Sequence, residues 1–143
     1  MEFKWDPSMS VGEKTIDSQH KKLLEKITEL AGIISSMDVD MNQLRGTVHF
    51  LYIYIKEHFT YEENYMTSNK FPDLEEHKKT HQDFVQFYDG LQKEFRERCI
   101  SGHFSSVDIM DLLKKVEKYL GDWLVHHIKG MDQEYTKYIN SRN

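Results

Sequence analysis

The chain has 143 residues, enough for one ordinary domain with its own core, and its 38% apolar and 30% charged residues with only two prolines suit a helical globular protein rather than a disordered or β-rich one. A net charge of −5 without any basic block argues against nucleic acid as a partner, and the single cysteine, Cys99, excludes a disulfide framework and a zinc-finger set. Neither an apolar leader nor an eighteen-residue apolar run occurs, so no membrane span and a cytoplasmic location are expected. Residues 1–14, with Trp5, Pro7, Met9, Val11 and Gly12, read as an extended arm with Trp5 as a packing anchor. Helix A, about Asp17 to Met37, follows from Leu23, Leu24, Ile27, Leu30, Ala31 and Ile34 at helical spacing, with Asp17 or Thr15 near its cap. After a short Asp38–Asp40 connection, helix B runs from about Met41 to Met66 on a stripe of Leu44, Val48, Leu51, Ile55 and Phe59. Pro72 marks the clearest break, because it disfavours helical geometry at Phe71 and can open the next helix. Helix C then spans about Pro72 to Cys99 with His77, His81, Phe84, Val85, Tyr88, Leu91 and Phe95. A turn over Ser101–Ser105 precedes helix D, from Ser106 or Val107 through Leu112, Leu113, Val116, Leu120 and Leu124 to His126-His127, which loosens or ends near Gly130 before a short tail.

Four helices with short connections are expected to form an all-α, up-down-up-down antiparallel four-helix bundle, arm 1–14 and bundle about 15–140, in a single domain. That arrangement carries a functional expectation. His20 lies near the start of A, His58 and Glu62 near the end of B, His77 and His81 near the start of C, and His127 and Asp132 at the end of D. All seven then fall in one layer at one end. Residues four apart on a helix are turned only about 40° from each other, so His58 and Glu62 share a face, as do His77 and His81. Buried imidazoles and carboxylates are costly unless hydrogen-bonded, neutralised or metal-bound, and seven together point to a shared metal. His127 and Asp132 are five apart, about 140° round an ideal helix, and converge only if the helix loosens at Gly130. Glu63 and His103 are expected to face solvent, His126 to lie outside the layer or behind it, and His49 to have a structural place on the buried stripe of helix B.

Imidazole with carboxylate suits iron, zinc, copper or nickel, and seven donors exceed what one tetrahedral ion needs. Two metals sharing bridging carboxylates fit the number better. No Glu-x-x-His occurs, which separates the chain from carboxylate-rich di-iron oxidases.

In order and at these spacings, the chain resembles the hemerythrin family, in particular its single-domain bacterial members. The matching pieces are Trp5-Asp6, Gly12 and Ile16-Asp17-Ser18-Gln19-His20-Lys21; His58-Phe59, Glu62-Glu63 and Met66; Phe71-Pro72, His77-Lys78 and His81; and Trp123-Leu124, His127-Ile128 and Asp132. The resemblance implies two iron ions with an oxo or hydroxo bridge, one held by His77, His81 and His127, the other by His20 and His58 with an open position, and Glu62 and Asp132 bridging. It also implies an apolar oxygen pocket closed by Leu124 with Ile55, Phe59 or Trp123. The function implied is reversible dioxygen binding for storage, transport or delivery, without turnover of a substrate. The alternatives are an oxygen or redox sensor acting through a partner, and a di-iron enzyme acting on peroxide or nitric oxide. A monomer with dioxygen as its partner is expected.

Overall fold

The computed structural model describes residues 3–36, 39–101 and 105–142, and among them there are helices and no strands. A 3₁₀ turn at Pro7–Met9 precedes α1 (Lys14–Ile34), α2 (Met41–Ser68) and α3 (Leu74–Ser101). Then come α4 (Ser106–Lys115), a π-helical stretch (Val116–Asp122), α5 (Trp123–Lys129) and α6 (Met131–Ser141). The turn expected at Ser101–Ser105, His103 in it, Asp38 of the first connection and the Leu113 side chain lie wholly or partly outside the described residues.

Local chemistry sets the ends of these helices. Glu13, not Asp17 or Thr15, caps α1, its carboxylate accepting from the Thr15 and Ile16 amides at 3.3 and 2.8 Å. Asp17 instead reaches back, taking Ser10 Oγ at 2.6 Å and the Val11 amide at 2.9 Å. Between them Gly12 sits at φ +75°, a conformation that costs a residue without Cβ little. Asp40 caps α2 through the Asn42 and Gln43 amides. At its far end the Phe71 amide donates to Met66 O at 3.0 Å and the Lys70 amide to Thr67 O at 3.1 Å, the paired bonds of a Schellman stop. Lys70 occupies the left-handed position there, φ 56°, where glycine is usual. α3 begins two residues later than Pro72, which forms the turn.

The apolar stripes meet in one large cluster. α1 supplies Leu23, Leu24, Ile27, Leu30, Ala31 and Ile34, α2 Leu44, Leu51, Ile55 and Phe59, and α3 Phe84, Tyr88 and Phe95. Leu112, Val116, Leu120 and Leu124 complete it, with Val48, Val85 and Leu91 half-buried at its margin. Each wholly buried aliphatic side chain contributes about 1.5–3 kcal/mol. A smaller cluster of Val11, Ile16, Met66, Phe71 and Tyr135 lies apart from it. α1 packs on α2 and on the π-helical stretch, and α2 on α3. The segment before α1 is tied across α1, with the Phe3 amide donating to Thr28 Oγ1 at 2.8 Å, and Lys21 Nζ stands 4.3 Å above the half-buried Trp5 ring. A Cβ on Gly121 would come within 2.0 Å of the Phe3 ring, so the π-helical stretch admits that ring only because residue 121 has no side chain.

Charged residues join α3 and α4. Lys115 Nζ binds Glu94 at 3.0 Å and Asp111 at 3.1 Å, and Arg98 pairs with Glu94 and with Asp108. No described helix is long and apolar enough to cross a membrane.

Candidate metal centre

The seven residues singled out in the sequence come together, and all are buried: His20, Glu62 and Asp132 at 0% exposure, His58, His77, His81 and His127 at 5% or less. The one-turn pairs His58/Glu62 on α2 and His77/His81 on α3 share their faces as expected. His127 and Asp132 converge because the chain leaves helical geometry at Gly130, φ −100° and ψ −86°, between α5 and α6. A Cβ there would stand 3.0 Å from His126 O, so a side chain at this break would press on the backbone that aims His127.

The imidazoles form two groups. Nε2 of His127 lies 3.1 Å from Nε2 of His77 and 3.1 Å from Nε2 of His81. Ligands at right angles around an ion with metal–nitrogen bonds of about 2.1 Å stand about 3 Å apart, so this trio is spaced to cap one ion. His20 and His58 make the second group, with ring centroids 4.6 Å apart. Each carboxylate spans the two. Glu62 Oε1 faces His81 at 3.1 Å and His77 at 3.4 Å, while its Oε2 faces His20 at 3.3 Å and His58 at 3.4 Å. Asp132 Oδ1 faces His77 at 3.0 Å and His127 at 3.2 Å, while its Oδ2 faces His20 at 3.3 Å.

Despite these approaches, His20 Nε2, His58 Nε2, Glu62 Oε1 and both Asp132 oxygens have no hydrogen-bond partner. Buried polar atoms in that condition are costly, and a cation between them would satisfy all five. Such a donor set, nitrogen and oxygen without sulfur, fits a pair of borderline metals such as iron. Without a metal the layer is electrostatically divided. Burial opposes charge on His20 and His77, but the Asp132 and Glu62 carboxylates outweigh it and raise both to about 9. Burial dominates at His58 and holds it down to about 3. Burial also works against ionising Glu62, yet the surrounding imidazoles keep its carboxyl well below the usual range.

Aromatic rings close the layer. Phe59 stacks on His81 with centroids 3.8 Å apart and Trp123 on His127 at 4.6 Å. Leu124, Ile55 and Phe59 are buried and Trp123 half-buried. Three further residues touch the site, and the sequence reading gave them no part in it. Glu63, expected to face solvent, has Oε2 2.9 Å from His81 Nδ1. Gln19 Oε1 stands 2.7 Å from His58 Nδ1. Tyr135, wholly buried, donates its hydroxyl to Glu62 Oε2 at 3.2 Å, and burial followed by the two carboxylates drives its ionisation well above the usual range. The available signal for Tyr135 was its place three residues after Asp132, on the same helical face. His126 is exposed, as expected of a residue outside the layer. His49 is exposed too, which corrects its expected place on the buried stripe: Val48 turns partly inward and leaves its neighbour to solvent.

Comparison with known proteins agrees with this geometry. Residues 11–139 match the model of the hemerythrin HHE cation-binding domain. The chain is 32% identical over 133 residues to a myohemerythrin of Theromyzon tessulatum, covering 93% of this chain and 90% of that protein. It is 26% identical over 137 residues to a bacteriohemerythrin of Stenotrophomonas maltophilia (96% and 81% covered), and 29% identical over 133 residues to a hemerythrin-like protein of Naegleria gruberi (93% and 90%). With a family model covering most of its length and buried donors arranged to hold cations, this chain belongs to the hemerythrin family.

Proposed function

We infer that the protein binds dioxygen reversibly at a non-haem pair of iron ions and serves storage, transport or delivery rather than catalysis. One observation carries this reading: Glu62 and Asp132 each present one oxygen to a three-imidazole group and the other to a two-imidazole group. His77, His81 and His127 would hold one iron, His20 and His58 the other, and the two carboxylates would bridge, with an oxo or hydroxo bridge completing the pair. The two-imidazole position has fewer protein donors and is the side left for a small ligand. When bound, the irons supply the electrons that dioxygen takes up and gives back.

The protein's own side chains do the rest. Five neutral imidazoles and only two carboxylates leave the layer with little negative charge, which disfavours driving an O–O bond apart. Leu124, Ile55, Phe59 and Trp123 keep water from the pocket, so nothing supplies the protons that would release a reduced oxygen species. Within this reading residues 1–143 form one hemerythrin-like domain, an N-terminal arm over an up-down-up-down bundle. The positions of the donors support it, since His20 near the start of α1, His58 and Glu62 toward the end of α2, and His77 and His81 near the start of α3 meet one another and His127 of α5.

Anaerobic reduction followed by optical spectra on admitting and then withdrawing oxygen tests the function. A colourless reduced protein carrying two irons per chain should colour with oxygen and bleach when it is removed. Colour that does not bleach would mean oxidation of the irons in place of reversible binding, and repeated oxygen consumption with an added reductant would replace carriage with enzymatic turnover.

A further inference from the structure

The residues behind the two imidazole groups differ in charge. His81 Nδ1–H donates to Glu63 Oε2 at 2.9 Å, and the Glu63 side chain, 24% exposed, opens on a surface groove it shares with Lys56, Thr60 and Gln82. His58 Nδ1–H donates to Gln19 Oε1 at 2.7 Å, an uncharged amide. His20, the other imidazole of the pair, has no partner at Nδ1. The bridging carboxylate is loaded unevenly as well. Tyr135 donates to Glu62 Oε2, the oxygen facing His20 and His58, while Oε1, which faces His77 and His81, receives no hydrogen bond.

These contacts all push one way. A hydrogen bond to an ionised acceptor is roughly twice as strong as one to a neutral acceptor, so Glu63 draws on the His81 Nδ1 proton harder than Gln19 draws on that of His58. An imidazole so drawn gives more electron density at Nε2. A donor placed on a carboxylate oxygen has the opposite effect, withdrawing density from the metal that oxygen faces.

Resting on the di-iron reading above, we propose that Gln19, Glu63 and Tyr135 are positioning residues that make the two metal positions unequal. Glu63 enriches the position of His77, His81 and His127 and favours the ferric ion there. Gln19 and Tyr135 keep the position of His20 and His58 poorer in electrons, so that the iron on the side open to a small ligand holds its ferrous state longer.

The test uses the iron-loaded full chain, with iron-57 Mössbauer spectra during stepwise reduction and the rate at which a chelator removes each iron. Glu63→Gln keeps the shape and removes the charge. It should bring the two reduction steps closer together and speed loss of one iron, not both, by about 10- to 100-fold, and Glu63→Asp should restore part of the difference. Gln19→Glu and Tyr135→Phe report on the other position, and each should make its iron easier to oxidise. Two irons that change together in every variant, or spectra and extraction rates unaltered in all of them, would overturn the proposal. A wild-type protein that takes up fewer than two irons would instead overturn the di-iron reading, whatever the variants do.

Discussion

The protein has two ends built on different principles. Around Leu30, Leu44, Leu51 and Leu120, each 1% exposed or less, apolar side chains fill the space between helices and need nothing from outside the chain. Around His20, Glu62 and Asp132 burial is as complete, yet polar atoms face one another without partners. The first region is stable on its own terms. The second is folded in shape but unfinished in charge, and its stability is tied to what it holds.

Removing the metal should separate the two ends most sharply. Ligand linkage at a thousandfold excess over the dissociation constant is worth on the order of 4 kcal/mol, so the iron-free protein should melt roughly 10 °C lower. Hydrogen exchange should show the loss in α5 and the start of α6, with the region around Leu30 and Leu44 still protected. Equal loss along the chain would erase the distinction between the ends. Leu51→Ala approaches from the other side: the cavity should cost about 2–5 kcal/mol by denaturant melt while the optical spectrum of the loaded centre stays the same. A changed spectrum would mean that the ends are mechanically coupled.

Smaller effects sharpen the boundary. Gly121→Ala sets a methyl group against the Phe3 ring and should cost about 1–3 kcal/mol, with a rise in proteolysis of the first residues. Unaltered proteolysis would show that the ring is not held there. Tyr88→Phe removes a buried hydroxyl that donates to Val48 O at 2.7 Å, at a cost of about 1 kcal/mol. It also tests a pH dependence confined to the apolar end. Burial raises the Tyr88 ionisation above its ordinary value of 10.0, so the unfolded chain releases this proton first. The corresponding stability is whole below pH 10 and is lost as pH climbs toward the folded value. The phenylalanine variant should decline less steeply above that point in alkaline melts, and parallel curves would remove Tyr88 as the source.

Periodicity made α1, α2 and α3 legible, because each buries one stripe and nothing local contradicts it. That the seven buried residues meet was legible for a related reason: pairs four apart reveal a shared face, and short connections reveal a shared end. What escaped was what depends on contact rather than period. Glu63 looks outward when α2 is considered alone, yet it finds His81 on α3. Gln19 beside His20 carries no helical signature of its partnership with His58. The cap of α1 went to Glu13 because Asp17 was needed by Ser10 and Val11, a competition that no propensity encodes. The last helix was the least legible. Its apolar pattern continues unbroken through Val116 and Leu120, while the backbone takes wider turns over Val116–Asp122.

Those wider turns bear on how the protein tolerates change. A π-helical stretch is commonly an α-helix that has taken in one surplus residue by widening its turns, so the segments on either side keep their facing. Deleting one residue between 116 and 122 would therefore let the stretch close to ordinary α-helix with His127 still turned into the layer. Adding one there, where the surplus is already taken up, would turn His127 by about 100°. The slack in that helix runs in one direction only.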